Sequence, residues 1–380
     1  MNARAADLRA KGVDVFAFGV GEPDFEPPAY VLEAAKKAID KGVSKYTAVT
    51  GIAPLKQAIC EAAARQKGFS PTPDMVTVTV GAKHALFNLA IALFEPGDEV
   101  VIPAPYWVSY PEQVRMMGAT PVIVETTEAS GWRMSAEDLD RATSARTKAV
   151  VLCTPSNPTG AAYTQSELEA LLAVLRKKDC WLIVDEIYAE LVYDGFQAVS
   201  CRKLAPDLAE RMVVVDGVSK TYAMTGWRIG WSISPKPLAK ALDVVQGQST
   251  TNPTAVAQHA ALAALTGPQA EVARMRSAFQ ARRDAMLAEV ATVEGMRARK
   301  PEGAFYVFAD VRGLYGLRWG GKTVQSDEDV AFFLLDEAGV AAVPGGPFGA
   351  PGYLRMSYAT SEERIRGGFA RIREAVARAR

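Results

Sequence analysis

Seven short apolar runs separated by longer amphipathic stretches punctuate residues 76–232, and this alternation constrains the fold more than any other feature of the chain. The runs Val76–Val80, Glu99–Ile102, Thr120–Val124, Ala149–Cys153, Trp181–Asp185, Met212–Val215 and Arg228–Ser232 are predicted as strands. Most are rich in Val and Ile without polar alternation, so both faces of each strand need a cover. Ala82–Phe94, Ser109–Met117 and Gln165–Lys178 are predicted as helices, the last opened by the capping-box spacing of Thr164 and Glu167. Strand and helix in alternation give an α/β fold with a mostly parallel sheet between helices.

Beyond residue 267 the pattern changes. A long polar helix, Pro268–Val293, precedes a strand Ala304–Asp310, a Gly-rich loop, a helix Ser326–Ala338, strands Val340–Val343 and Tyr353–Tyr358, and a terminal helix. With 380 residues the chain exceeds the ~250–300 at which one hydrophobic core stops growing. Two domains are expected: a large one over 26–267, and a smaller, discontinuous α+β one joining 1–25 to 268–380.

The charge balance narrows the function. Lys plus Arg number 43 and Asp plus Glu number 43, so the basic excess that binds nucleic acid is missing. The arginines from Arg364 to Arg380 are interrupted by Glu374 and suit a solvated last helix. Four cysteines without C-x-x-C spacing point to reduced thiols. His84 and His259 are the only imidazoles, so no metal site and no Ser-His-Asp triad is expected. The apolar stretch Ala85–Phe94 is shorter than the ~18 residues of a membrane span, and no secretory pattern opens the chain. A cytoplasmic protein whose chemistry comes from other side chains is expected.

Four features could carry that chemistry. Lys220, with Ser219 before it, follows the strand Met212–Val215, where desolvation would lower its pKa. Asp185 ends a buried strand, at the edge where α/β sheets bind ligands. Asn157 lies in the turn Thr154–Gly160 directly after another strand. Gly81, Ala82 and Lys83 open a helix whose exposed N–H groups can cradle a phosphate. Taken singly, each has an ordinary structural reading as a surface lysine, a cap, a turn or a helix start.

Together they form a pattern. The segment Ser219-Lys220-Thr221-Tyr222-Ala223-Met224-Thr225-Gly226-Trp227-Arg228-Ile229-Gly230 resembles the lysine signature of class I, fold-type I, pyridoxal phosphate-dependent aminotransferases. Gly21–Phe25, Pro105–Trp107, Asn157–Gly160, Asp185–Tyr188 and Arg355–Thr360 resemble the family's other motifs in the same order, across nearly the whole chain. The likeness is greatest to bacterial aspartate aminotransferases, including those that accept prephenate.

The resemblance implies pyridoxal 5′-phosphate as cofactor, with Lys220 as its Schiff-base lysine and acid/base. It implies Asp185 at the pyridine nitrogen, Tyr188 and Asn157 at the 3′-oxygen, and Trp107 stacked on the ring. Gly81, Ala82, Lys83, Ser219 and Arg228 would hold the phosphate, joined by Tyr46 from a neighbouring subunit of a homodimer with shared sites. Arg355 would grip the substrate α-carboxylate, with Gly21, Trp107 and Asn157 beside it. The implied reaction moves the amino group of aspartate to 2-oxoglutarate by ping-pong transfer. Family members usually carry an additional stretch before the helix near Asn2 that helps cover the active site, so the resemblance leaves closure and side-chain selectivity open here, and Gly217 stands where some have a phosphate-binding serine.

Rival readings remain at this level. Prephenate, aromatic amino acids or alanine could replace aspartate, and a pyridoxal phosphate lyase would share the same first steps. Gly316–Thr323 also matches G-x-x-x-x-G-K-[ST], the pattern of a nucleotide phosphohydrolase. Its context opposes that reading, because Ser326 is expected to start the next helix only after Lys322 and Thr323.

Overall fold

The computed structural model describes residues 2–380. All seven predicted strands form one sheet: β1 (Val76–Val80), β2 (Glu99–Ala104), β3 (Thr120–Glu125), β4 (Thr147–Cys153), β5 (Trp181–Asp185), β6 (Met212–Gly217) and β7 (Ile229–Ile233). Their spatial order is β1-β7-β6-β5-β4-β2-β3. Every pairing is parallel except those of β7, which runs antiparallel to both β1 and β6.

The unbroken apolar runs have the meaning expected of them. Within β4 and β5, Val150, Leu152, Leu182 and Val184 pack with Leu168, Leu171 and Leu172 of the helix Gln165–Leu175. The residues between them, Ala149, Val151 and Ile183, pack on the other side with Leu86 and Leu89 of the helix Ala82–Leu93. Successive side chains of a strand point to opposite faces, so covering both requires apolar residues at every position. Each fully buried Leu or Ile contributes roughly 1.5–3 kcal/mol.

Helix ends follow their local chemistry. Thr164 and Glu167 form the reciprocal capping box, and Ser326 caps the helix Asp327–Ala338. The long polar helix runs Ala270–Val290, slightly inside its predicted limits.

The second sheet is antiparallel and contains β8 (Arg297–Ala298), β9 (Tyr306–Asp310), β10 (Val343–Pro344) and β11 (Tyr353–Ser357), in the order β10-β11-β9-β8. Here two expectations need correction, and the phosphate-loop reading that the sequence context already opposed is excluded. The strand predicted over Val340–Val343 is two short pieces: Val340–Ala341 pairs in parallel with Phe16–Ala17, and β10 pairs with β11. β9 begins at Tyr306, because Ala304 has a positive φ of 59°. Gly316–Thr323 is not a phosphate loop: Arg318–Trp319 and Lys322–Thr323 pair as an antiparallel hairpin, so Lys322 and Thr323 open no helix.

Phe16 and Phe18 share a core with Phe305, Val340, Leu354 and Phe369, tying the N-terminal segment to the C-terminal third. Among the described residues no helix is long and apolar enough to cross a membrane, and no group of His, Cys, Asp and Glu side chains could hold a metal ion.

Candidate active site

Parallel strands deliver their carboxyl ends to one edge of a sheet, and ligand crevices form there. Cys153 and Asp185, the last residues of β4 and β5, line a cavity of ≈ 340 Å³ at that edge. Segments that follow strands complete it: Ala82 and Lys83 after β1, Trp107 after β2, Asn157 after β4, Tyr188 after β5, and Ser219 and Lys220 after β6. Gly21 and Arg355 enter from outside the seven-stranded sheet. Eleven of the thirteen residues expected at the site therefore meet in one cavity.

Asp185 is 3% exposed. Its Oδ2 accepts a hydrogen bond from the Tyr110 hydroxyl at 2.7 Å, and its Oδ1 accepts from the Ile187 N–H at 3.1 Å. Burial nevertheless raises its carboxyl to about 6, because removing water penalises the charged form more than two hydrogen bonds repay it. Lys220 shows the mirror effect. Its Nζ donates to the Gly21 carbonyl at 2.6 Å, and burial, helped by Arg355 and Arg228, lowers its ammonium to about 8 against an opposing pull from Glu22. A lysine of that kind is partly free base near neutrality, the condition for a nucleophile or proton carrier.

Beside the same cavity, the helix Ala82–Leu93 begins after Gly81, whose φ is 81°. A Cβ on Gly81 would fall 2.6 Å from Arg228 Nη2, and one on Gly230 would fall 2.3 Å from the Ala82 nitrogen. Two glycines thus let strand, helix start and guanidinium approach closely, and the unpaired helical N–H groups and the cation favour an anion. Gly81 acts by lacking a side chain and does not itself line the cavity. Arg228 precedes β7 rather than belonging to it, with a φ of 55° that turns the chain. At Gly217 a Cβ would meet the Gly230 Cα at 2.9 Å, so a serine there needs local displacement.

Arg355, on β11, donates from Nη1 to Asn157 Oδ1 at 3.0 Å and from Nη2 to the Gly19 carbonyl at 2.9 Å. Its Nε is buried without a partner among the described residues, which leaves donor capacity for a carboxylate. Lys83 Nζ stands 4.8 Å from the Trp107 ring centre, and Trp107 meets Tyr110 edge-on. Tyr46 is elsewhere: it is 89% exposed, beside Lys45, Asn252 and Thr254.

Sequence reasoning overlooked Tyr110, Cys153, Ile187, Thr225 and Tyr306, which line the same cavity. The Tyr306 hydroxyl lies 2.9 Å from that of Tyr188, and its ring packs 4.6 Å from the Arg355 guanidinium. Tyr306 follows Gly303, Ala304 and Phe305 in a strand with ordinary apolar composition, so only its place opposite Tyr188 gives it significance.

Known proteins resemble this chain in sequence and in fold. Residues 13–372 match the family model described as aminotransferase class I and II. The chain is 47% identical to the aspartate/prephenate aminotransferase of Cereibacter sphaeroides, over 97% of this chain and 93% of that protein. It is 46% identical to the aspartate aminotransferase of Geobacillus stearothermophilus, with the same coverage of each chain. Among solved structures, the aspartate aminotransferase of Rhizobium meliloti superposes with a TM-score of 0.96 at 44% identity, covering 100% of this chain and 95% of that one. The Thermus thermophilus aspartate aminotransferase with maleate gives 0.92 at 44% identity, covering 98% and 95%. By sequence over nearly its whole length, and by fold, this chain belongs to the class I and II aminotransferases.

Proposed function

We propose that the chain is a pyridoxal 5′-phosphate-dependent aspartate aminotransferase that passes the amino group of aspartate to 2-oxoglutarate in a ping-pong cycle. The observation that carries the reading is one cavity holding a lysine lowered to about 8, a buried carboxylate and an arginine with a free buried donor. These groups fit the cofactor. Lys220 supplies the amine for its aldehyde, Asp185 an acceptor for a ring N–H, and the helix start at Ala82 and Lys83 with Ser219 and Arg228 a cradle for its phosphate. Tyr188 and Asn157 serve as partners for the ring oxygen, and Trp107 offers a flat face.

When bound, the cofactor supplies an electron sink that makes the substrate Cα–H acidic. The protein's own part is positional. Asp185 holds a proton at the ring nitrogen, Arg355 orients the α-carboxylate, and Lys220, once released as free amine, carries a proton from Cα. A homodimer belongs to the same reading, with Tyr46 directed outward toward a partner's phosphate; its high exposure supports this. The same reading includes the division into a domain over 26–267 and another joining 1–25 with 268–380, supported by the separation of the seven-stranded sheet from the four-stranded one. We assign the protein to the cytoplasm on the same footing.

An amino-donor screen with 2-oxoglutarate tests the reading, with aspartate expected to give the highest kcat/KM. Dominance of alanine or an aromatic donor would overturn the substrate while leaving the cofactor chemistry in place. Prephenate is the second acceptor to include, because a 47% identical relative is named for both substrates.

A further inference from the structure

A second polar cluster adjoins Asp185 outside the cavity just described. Lys67 Nζ lies 2.7 Å from Glu186 Oε2 and 2.9 Å from Asp216 Oδ2, with the three side chains only 8%, 3% and 13% exposed. Ser200 Oγ donates to the other oxygen of Glu186 at 2.7 Å, and the Gly217 N–H donates to the other oxygen of Asp216 at 2.7 Å. None of the three charged residues lines the large cavity. The helix Ala53–Ala62 ends in a π-helical turn, Ala63–Lys67, before Gly68 at φ 73°. Such a wider turn changes the angular position of the residues after it, and it recurs at functional sites.

The cluster's neighbours give it meaning. Glu186 follows Asp185, and Asp216 follows Val215, the residue registered with Asp185 across β5 and β6. Two adjacent strand ends therefore carry three carboxylates, with one ammonium held between two of them. Buried ion pairs by themselves are weak sources of stability, so the arrangement calls for another purpose. We propose that Lys67 is a positioning residue for the cofactor pocket, a sealed counter-ion that offsets one of the two negative charges of Glu186 and Asp216 so that Asp185 can meet the ring nitrogen as a carboxylate. The proposal rests on the role given to Asp185 above. Asp185 is faced by Tyr110, Cys153, Glu186, Asp216 and Lys220. Lys67 is faced by Glu186 and Asp216, with Glu190 in the same small pocket. Asp216 and Glu186 both push the Asp185 carboxyl upward, and an unneutralised pair would push it further.

Infrared titration of the cofactor-free protein reads this directly, with the carboxylic-acid band of Asp185 assigned by its loss in Asp185→Asn. Lys67→Met should move the Asp185 midpoint to higher pH by about one unit, a tenfold gain in proton affinity. Glu186→Gln, which removes a carboxylate and keeps Lys67, should move it lower, and Lys67→Arg should leave it in place. A purely structural role for Lys67 would change the melting temperature without moving the midpoint. An unmoved midpoint in folded Lys67→Met overturns the proposal; if that variant does not fold, an unmoved midpoint in Glu186→Gln does so. Titration of the wild-type protein with pyridoxal 5′-phosphate separates the two claims. No uptake overturns the cofactor reading and with it the purpose given to Lys67, whereas uptake with an unmoved midpoint overturns the Lys67 proposal alone.

Discussion

Lys220 and Lys67 are the same residue type in two adjacent enclosed regions, and the fold drives them in opposite directions. Burial pulls both ammonium groups down. Lys220 has a carbonyl as its hydrogen-bond partner, with Arg355 and Arg228 nearby, and falls to about 8. Lys67 has two carboxylates within 3 Å, and their attraction overcomes its burial and raises its pKa. Partners rather than burial decide which lysine is reactive and which is a fixed charge. Motif reasoning singles out Lys220, but nothing in the sequence announces the fixed charge of Lys67, whose partner Glu186 lies 119 residues away.

The contrast can be broken by experiment. The largest expected effect is on turnover: Lys220→Met should lose at least about 10³-fold in the single-turnover rate with aspartate, the scale of a lost proton carrier. Lys67→Met should instead act on folding, lowering the urea-unfolding free energy of the cofactor-free protein by about 3–5 kcal/mol, since it leaves two buried carboxylates without a cation. A smaller effect of opposite sign sharpens the comparison. The folded pKa of Lys220, about 8, lies below its unfolded value, so the native state binds fewer protons. Its charge therefore destabilises the cofactor-free fold below about 8, and this penalty disappears as pH rises through the folded value toward the unfolded one. Lys220→Met should then raise stability at neutral pH by about 1–3 kcal/mol, a gain that vanishes in alkaline unfolding titrations. Equal losses of stability in the two variants would show that the lysines do not differ in this way.

Features with local causes were legible in the sequence. Most strands of the main sheet were visible because both of their faces are covered, which disfavours polar alternation. Thr164 with Glu167 and Ser326 announced their helices because a cap bonds within its own turn. Lys220, Asp185, Asn157 and Ala82 were legible because the carboxyl ends of parallel strands gather at one edge. What escaped depends on distant partners. Tyr110 reads as an ordinary helical residue until its hydroxyl is found on Asp185, 75 residues away. Lys67 reads as a solvated helix end, yet at the close of a π-helical turn it meets Glu186, 119 residues away. Val340–Val343 reads as one strand, but its residues serve two sheets.

The N-terminal segment's attachment to the C-terminal third also sets an order of events during synthesis. Gly19 accepts its hydrogen bond from Arg355, 336 residues later, and the Phe18 carbonyl accepts from the Ser357 N–H at 2.6 Å. Even at roughly 20 residues per second, the segment leaves the ribosome about 17 s before those partners exist. Meanwhile the seven-stranded sheet, complete by Ile233, has all its strands. A nascent chain can therefore acquire its main sheet and its lysine well before it can hold a substrate carboxylate. Truncation ahead of Tyr353–Ser357 would keep all seven strands of that sheet but remove Arg355 and deprive Phe16 and Phe18 of much of their cover.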